Sequence, residues 1–437
     1  MNENKRTRHN KKGDYMNNFN KELLDFLNKG TCSFTSILEI EKILKEDGFV
    51  ALEENKKWQL SNNKYYVIRN NASIIAFILP KNNIEQFKIV CTHCDMPSLM
   101  IKPNPGFYEN GYCKLNVAPY GGLLNYGFMD RPMGIAGRII LKKEHKLAIN
   151  IVDTQTPVAI IPSIAIHQND KANSNLDLNT EVDLIPIYSS NKDETVEKFF
   201  KNIFKTEENI IDHELYLYNS ESAKILNNEF IASPRIDNLT CTYAAIKAFK
   251  DAHNTNSINC LAVFNSEEIG SNTIDGADSN FLIDTLKKIC KEKELNLEIS
   301  LANSIILSAD NTHARHPNHD NLSDHTNTPS LNSGVLIMRE MNVTSTSISG
   351  SLFKEICLKN NIPCSYYTSR NDFATGSTQS GASLRHLSIH SLDIGLPMLA
   401  MHSGLELIGL KDTYLLFEAL KKTYETNFTF KNNNISF

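Results

Sequence analysis

Residues 260–264 form an unbroken apolar run that breaks off into Asn265-Ser266-Glu267-Glu268-Ile269-Gly270. Such a run reads as a strand buried on both faces. Two adjacent carboxylates at its end are costly to bury unless something cationic meets them. The pair is therefore either an exposed acidic turn, or a site where a metal takes one carboxylate and its neighbour handles a proton. Four other stretches carry a possible ligand at an equivalent point: His93 and Asp95 after a strand ending at Thr92, Asp237 ahead of a helix, Asp310 after residues 305–309, and His402 after residues 397–401. Taken singly, Asp237 reads as a helix cap and His402 as a hydrogen-bonded core histidine. Together they point to one crevice, because ligands collect at the carboxyl ends of strands in open α/β sheets.

The rest of the chain is consistent with such a sheet. Residues 17–28 have helical spacing, stopped by Gly30, and Ser36 with Glu39 reads as the capping box of a second helix that ends at Gly48. Short strands are expected over 65–69, 73–78 and 87–92. From Met96 to about Ala232 the chain is rich in Pro and Gly, with short β-like runs at 112–116, 137–142, 148–152, 158–161 and 182–186, and a helical pattern only at 191–204. This predicts a mostly β insertion. From Pro234 onward, helices at 239–252, 281–293, 350–359 and 412–424 alternate with strands at 259–264 and 304–308, which predicts an α/β sheet covered by helices.

The formal net charge of −5 points to neither nucleic acid nor an anionic membrane as a bulk partner. No apolar run is long enough to cross a bilayer. The first 15 residues are basic and polar, without the apolar core of a signal peptide. They are expected to form a disordered tail, or to precede a second candidate start at Met16. Nine cysteines, an odd number without regular spacing, argue for a reducing cytoplasm. Cys91 and Cys94 make a lone C-x-x-C with no second pair to complete a thiolate zinc site, so both read as packing residues.

Two imidazoles, His93 and His402, and three carboxylates, Asp237, Glu268 and Asp310, suit two metal ions sharing one bridging carboxylate. Mixed nitrogen and oxygen donors favour Zn²⁺, with Co²⁺ or Mn²⁺ as substitutes. Glu267 is then left free to act as general base on a water whose pKa the metals lower toward ~7.

At these residues the chain resembles the aspartyl aminopeptidase and aminopeptidase I family of dinuclear zinc exopeptidases. The resemblance rests on ordered stretches: His93-Cys94-Asp95-Met96-Pro97, Ile164-Ala165-Ile166-His167, Asn179-Thr180-Glu181, Arg235-Ile236-Asp237-Asn238, Ser266-Glu267-Glu268-Ile269-Gly270-Ser271, Ser308-Ala309-Asp310 with His313-Ala314-Arg315-His316-Pro317-Asn318, Arg370-Asn371-Asp372, Asp393-Ile394-Gly395 and Met401-His402-Ser403. It implies a zinc-exopeptidase-like mixed sheet flanked by helices, formed by 16–95 and 233–437, with 96–232 as an inserted β-rich dimerisation domain. It implies that Asp237 bridges two Zn²⁺, with His93 and Asp310 completing one site and Glu268 and His402 the other. Glu267 is implied as general base through a hydroxide bridging the metals, and Asp95 as the group orienting His93. His167 is implied to reach a neighbouring subunit's site, the competing reading being a direct zinc ligand. The implied assembly is a tetrahedral dodecamer of dimers acting on small peptides with a free N-terminus.

There are departures. Gly404-Leu405 stands before Glu406 where relatives carry a bulky apolar residue and Arg. Met338, with Arg339 beside it, occupies the position where members that prefer acidic N-terminal residues carry Lys. A neutral or broad preference is then as readily expected as an acidic one. The rival readings are a related two-metal carboxypeptidase or deacylase, and a catalytically silent oligomeric scaffold.

Overall fold

The computed structural model describes residues 2–437 apart from 82, 83, 85, 175, 254, 255, 374, 375, 377 and 432, with side chains described from residue 13 onward. Its largest sheet has nine strands. Four of these form a parallel centre, in the order Ser257–Phe264, Gln86–His93, Ile305–Ala309 and His390–Gly395. Antiparallel neighbours close both sides, Ser73–Ile78 on one and Val335–Met338 on the other. Every residue of Gln86–His93 and Ser257–Phe264 is buried. Helices cover both faces, as the alternation of elements predicts. Asn2–Lys29, Ser33–Glu46, Ile236–Asp251, Ser347–Lys359 and Asp412–Glu425 contribute to one apolar core, and Phe281–Glu292 to the other.

Two sequence-based expectations change near the N-terminus. The stretch expected to be disordered, 1–15, continues the first helix back to Asn2, while Met1 lies outside the described residues. Lys and Arg cost little in a helix, and the element is anchored at Tyr15. That ring packs on Tyr414 and Phe417, and its hydroxyl donates to Asp251. The second helix starts at Ser33 rather than Ser36, because the Thr35 hydroxyl already accepts the N–H of Cys32 at 2.9 Å.

A six-stranded antiparallel sheet, drawn wholly from residues 98–219, has a separate apolar core. Two of its strands, Ser98–Glu109 and Asn209–Asn219, were not legible as strands. The first holds Pro103, Pro105 and Gly106 across a bulge, and proline within a run argues against a strand. The second is interrupted by the charged triplet Asp212-His213-Glu214 just past a bulge. The run expected at 182–186 is instead turn, and the strand that follows is Ile187–Ser189.

A third, five-stranded sheet joins distant parts of the chain. Phe230–Ser233 pairs antiparallel with Glu406–Gly409, which pairs with Pro397–Leu399. The apolar run before His402 thus belongs to this smaller sheet, not to the main one. All nine cysteines are free. No helix among the described residues is long and apolar enough to cross a membrane.

Candidate metal centre

The parallel strands of the main sheet end at one edge, and that edge delivers most of the ligand set. His93 is the last residue of its strand, paired in register with Phe264. Asp310 follows Ala309 directly. Its carbonyl lies so close to Gly395 that a Cβ there would sit 1.9 Å from the oxygen. Glu267 and Glu268 follow Phe264 through Ser266, which takes the left-handed conformation (φ 64°) and turns the chain into a short 3₁₀ turn. A non-glycine residue there costs roughly 1–2 kcal/mol, a cost the surrounding structure must offset.

Asp237 and His402 arrive from the smaller sheet. The chain leaves Phe230–Ser233 through Arg235, also left-handed (φ 64°), and Asp237 and Asn238 keep non-helical angles before the regular helix begins. The peptide between them is cis. Asp237 is therefore not a helix cap; its carboxylate is turned into the crevice. His402 lies past the end of Pro397–Leu399, again left-handed (φ 63°).

The two oxygens of Asp237 divide between the two imidazoles. Oδ1 lies 3.5 Å from His93 Nε2, and Oδ2 lies 3.6 Å from His402 Nε2. His93 Nε2 is also 3.3 Å from Asp310 and 4.0 Å from Glu267, while His402 Nε2 is 3.4 Å from Glu268. The far nitrogens are both held by carbonyls: His93 Nδ1 by Asp95 O at 3.1 Å, His402 Nδ1 by Gly122 O at 2.9 Å. A carbonyl only accepts, so each ring carries a proton on Nδ1, which leaves Nε2 as the nitrogen that would ligate a metal in place of a proton. Among the described residues, three overlapping groups have metal-ligating spacing: His93, Asp237 and Asp310; His93, Glu267 and Glu268; Asp237, Glu268 and His402.

Two further carboxylates hold this arrangement from behind. Asp95 accepts the backbone N–H of Glu267 and of Glu268, each at 3.1 Å, and the Tyr120 hydroxyl at 2.8 Å. Glu406 does the same on the other side, accepting the N–H of Asp237 at 3.1 Å and of His402 at 2.7 Å. Sequence reasoning found Asp95 from its spacing to His93 but missed Glu406. Its only signal was an acidic residue at the head of an otherwise apolar strand. Gly122 and Gly395 were missed for the same reason: their roles are backbone contacts with partners remote in sequence.

The electrostatics call for cations. Burial pushes the Glu267 carboxyl up to about 8, with the charges of Asp310, Asp95 and Asp237 adding to it against attraction from His93. Burial likewise raises Glu268 well above its ordinary value, Asp310 to about 6 and Glu406 to about 8, with repulsion from Asp237 adding in each case. Asp237 goes the other way. Burial opposes its ionisation, but His402 and His93 outweigh it and hold the carboxyl well below the usual range. Burial disfavours charge on both rings too, yet the facing carboxylates raise His93 well above its ordinary value and His402 to about 10. Asp237 Oδ1 and Glu268 Oε1 are buried without a hydrogen-bond partner. Orphaned carboxylate oxygens beside two Nε2 atoms that a metal would take in place of protons are a donor set that fits divalent zinc.

The cluster opens onto a cleft of about 730 Å³. His167 does not join it within the chain; it lies exposed on the segment after Ile161, near exposed Ile164 and Ile166.

A mixed sheet with imidazoles and carboxylates gathered at the end of its parallel strands defines a metallohydrolase centre. A family model described as aminopeptidase I zinc metalloprotease (M18) matches residues 26–424. The chain is 38% identical to a probable M18 family aminopeptidase 2 of Clostridium novyi (strain NT), over 93% of this chain and 98% of the relative. It superimposes on Ape4, solved in its complex with Nbr1, with a TM-score of 0.89 at 30% identity, covering 94% of this chain and 86% of that one. The mApe1 dodecamer of S. cerevisiae gives 0.82 at 25% identity, over 94% and 97% of the two chains. The chain belongs to the M18 family and is a zinc-dependent aminopeptidase, a hydrolase.

Proposed function

We propose that the centre holds two zinc ions and removes the N-terminal residue of small peptides. His93 and Asp310 complete one ion's site, Glu268 and His402 the other's, and Asp237 serves both. The observation that carries this reading is the split of Asp237, one oxygen toward each imidazole. Bound there, the ions would supply Lewis acidity and a water of lowered pKa.

The chain's own groups do the rest. Glu267 reaches the cleft, with 13% of its side chain exposed. It accepts the proton of the attacking water and returns it to the departing amine nitrogen. Asp95 positions His93 and the turn that carries both glutamates. In this reading His167 acts on the active site of a neighbouring subunit, donating a hydrogen bond to the carbonyl oxygen as charge develops there. Its exposure beside apolar side chains, and its absence from the ligating groups of its own chain, support that role over zinc ligation. Residues 96–232 form the dimerising insertion in this reading, and the dimers build a tetrahedral dodecamer; the mApe1 of S. cerevisiae is a dodecamer. Nine free cysteines support a reducing cytoplasm as its compartment.

Glu267→Gln tests the assignment. Zinc content should stay unchanged while turnover of an aminoacyl amide falls roughly 10²–10⁴-fold. Normal turnover in that variant removes Glu267 from the role, and loss of zinc makes it a ligand instead.

A further inference from the structure

The cleft beyond the metal centre has a wall of mixed character. Residues 338 and 340 line the cleft, whereas 339 does not. Met338 is buried, and Glu340 lies just past the strand end. The Arg339 guanidinium lies within 3.9 Å of the position a Cβ on Gly350 would take. Val343 and buried Tyr367 complete an apolar patch with Met338.

Among the described residues, Glu340 is a carboxylate without a cationic partner on this wall, and Asp324 is a second. One oxygen of Glu340 accepts the N–H of Ser369 at 3.0 Å. Among the described residues, no cationic side chain forms an ion pair with it. The arginine of the wall is already engaged. Arg370 is spent on Asp372, with contacts at 2.8 and 2.6 Å, and on the carbonyl of Asn321. The Asp324 carboxylate accepts the N–H groups of Thr326 and Asn327 at 3.0 and 2.9 Å.

Resting on the aminopeptidase reading above, we infer that Glu340 selects peptides whose first residue is lysine or arginine. The methylenes of such a side chain lie along Met338, Val343 and Tyr367, and its cationic head meets the free oxygen of Glu340. A half-buried carboxylate gains from a charge-assisted hydrogen bond with a cation, whereas an acidic first residue meets like charge.

The test compares lysyl with norleucyl amidomethylcoumarin on the zinc-loaded enzyme, since the two side chains differ only in the terminal ammonium. Aspartyl and arginyl substrates complete the panel. The wild-type enzyme should favour lysyl over norleucyl by about 10–100-fold in kcat/KM, and aspartyl should be the poorest substrate. Glu340→Gln should collapse the lysyl-to-norleucyl ratio, chiefly through KM for the lysyl substrate, and Glu340→Lys should raise aspartyl above lysyl. A ratio unchanged by Glu340→Gln, or a wild-type preference for aspartyl, overturns the assignment while leaving the aminopeptidase reading in place. Failure of the zinc-loaded wild type on every amide overturns both.

Discussion

Two sheets build the centre, and they do so differently. The main sheet delivers His93 and Asp310 directly from strand ends, and His93 is sealed in, with 1% of its side chain exposed. The five-stranded sheet delivers Asp237 and His402 through left-handed turns, and His402 keeps 28% exposure. Regular backbone hydrogen bonding fixes the first pair. The second pair depends on one buried carboxylate, Glu406, which clamps both backbone N–H groups. The contrast shows that a site can be half scaffold and half polar clamp, and that the two halves fail in different ways.

Replacing the residue proposed to be shared should erase the contrast. Asp237→Ala should empty the centre and reduce activity at least ~10³-fold, as loss of a ligand common to both proposed ions would require. Plasma emission measurement of zinc per chain checks it, and full retention counts against bridging. Next in size, His402→Ala should lose one ion and keep the other near wild-type affinity, because the His93 half stands on strands. If both ions leave together, the two halves are not separable. Glu406→Gln comes third. An amide offers one acceptor oxygen, so one of the two N–H groups is left facing a donor, at a cost of about 1–3 kcal/mol. Zinc affinity should fall about 10–100-fold, mainly for the ion beside His402. Asp95→Asn should weaken both ions, since Asp95 faces His93 and also holds the Glu268 turn; competition titration with a zinc-sensing dye separates the two patterns. The smallest effect is kinetic: dilute chelator should remove the ion beside His402 first, from its more open side.

The same division decides what could be read beforehand. His93, Glu267, Glu268 and Asp310 stand beside runs whose burial is written in their own composition, so residue order alone located them. Asp237 could be located ahead of a helix and His402 after an apolar run, but not the sheet that positions them. That sheet depends on pairing Phe230–Ser233 with Glu406–Gly409, with Ser233 opposite Glu406, and no local pattern encodes a partner so remote in sequence. Glu406 escaped because its work is done on backbone N–H groups, which leave no trace in side-chain spacing. In the 98–219 sheet, prolines and charges at bulges hid two strands for the opposite reason: local chemistry argued against an element that tertiary pairing imposes.

The pairing of Phe230–Ser233 with Glu406–Gly409 also governs when the enzyme can become active. A ribosome releases His93, Asp237, Glu267, Glu268 and Asp310 well before His402 and its clamp have been translated. On the proposed ligand set, a growing chain can assemble the half that rests on strands but not the half that completes the catalytic pair. On that ligand set, peptidase activity must wait until residues 402–409 have been translated and Glu406–Gly409 has paired with Phe230–Ser233.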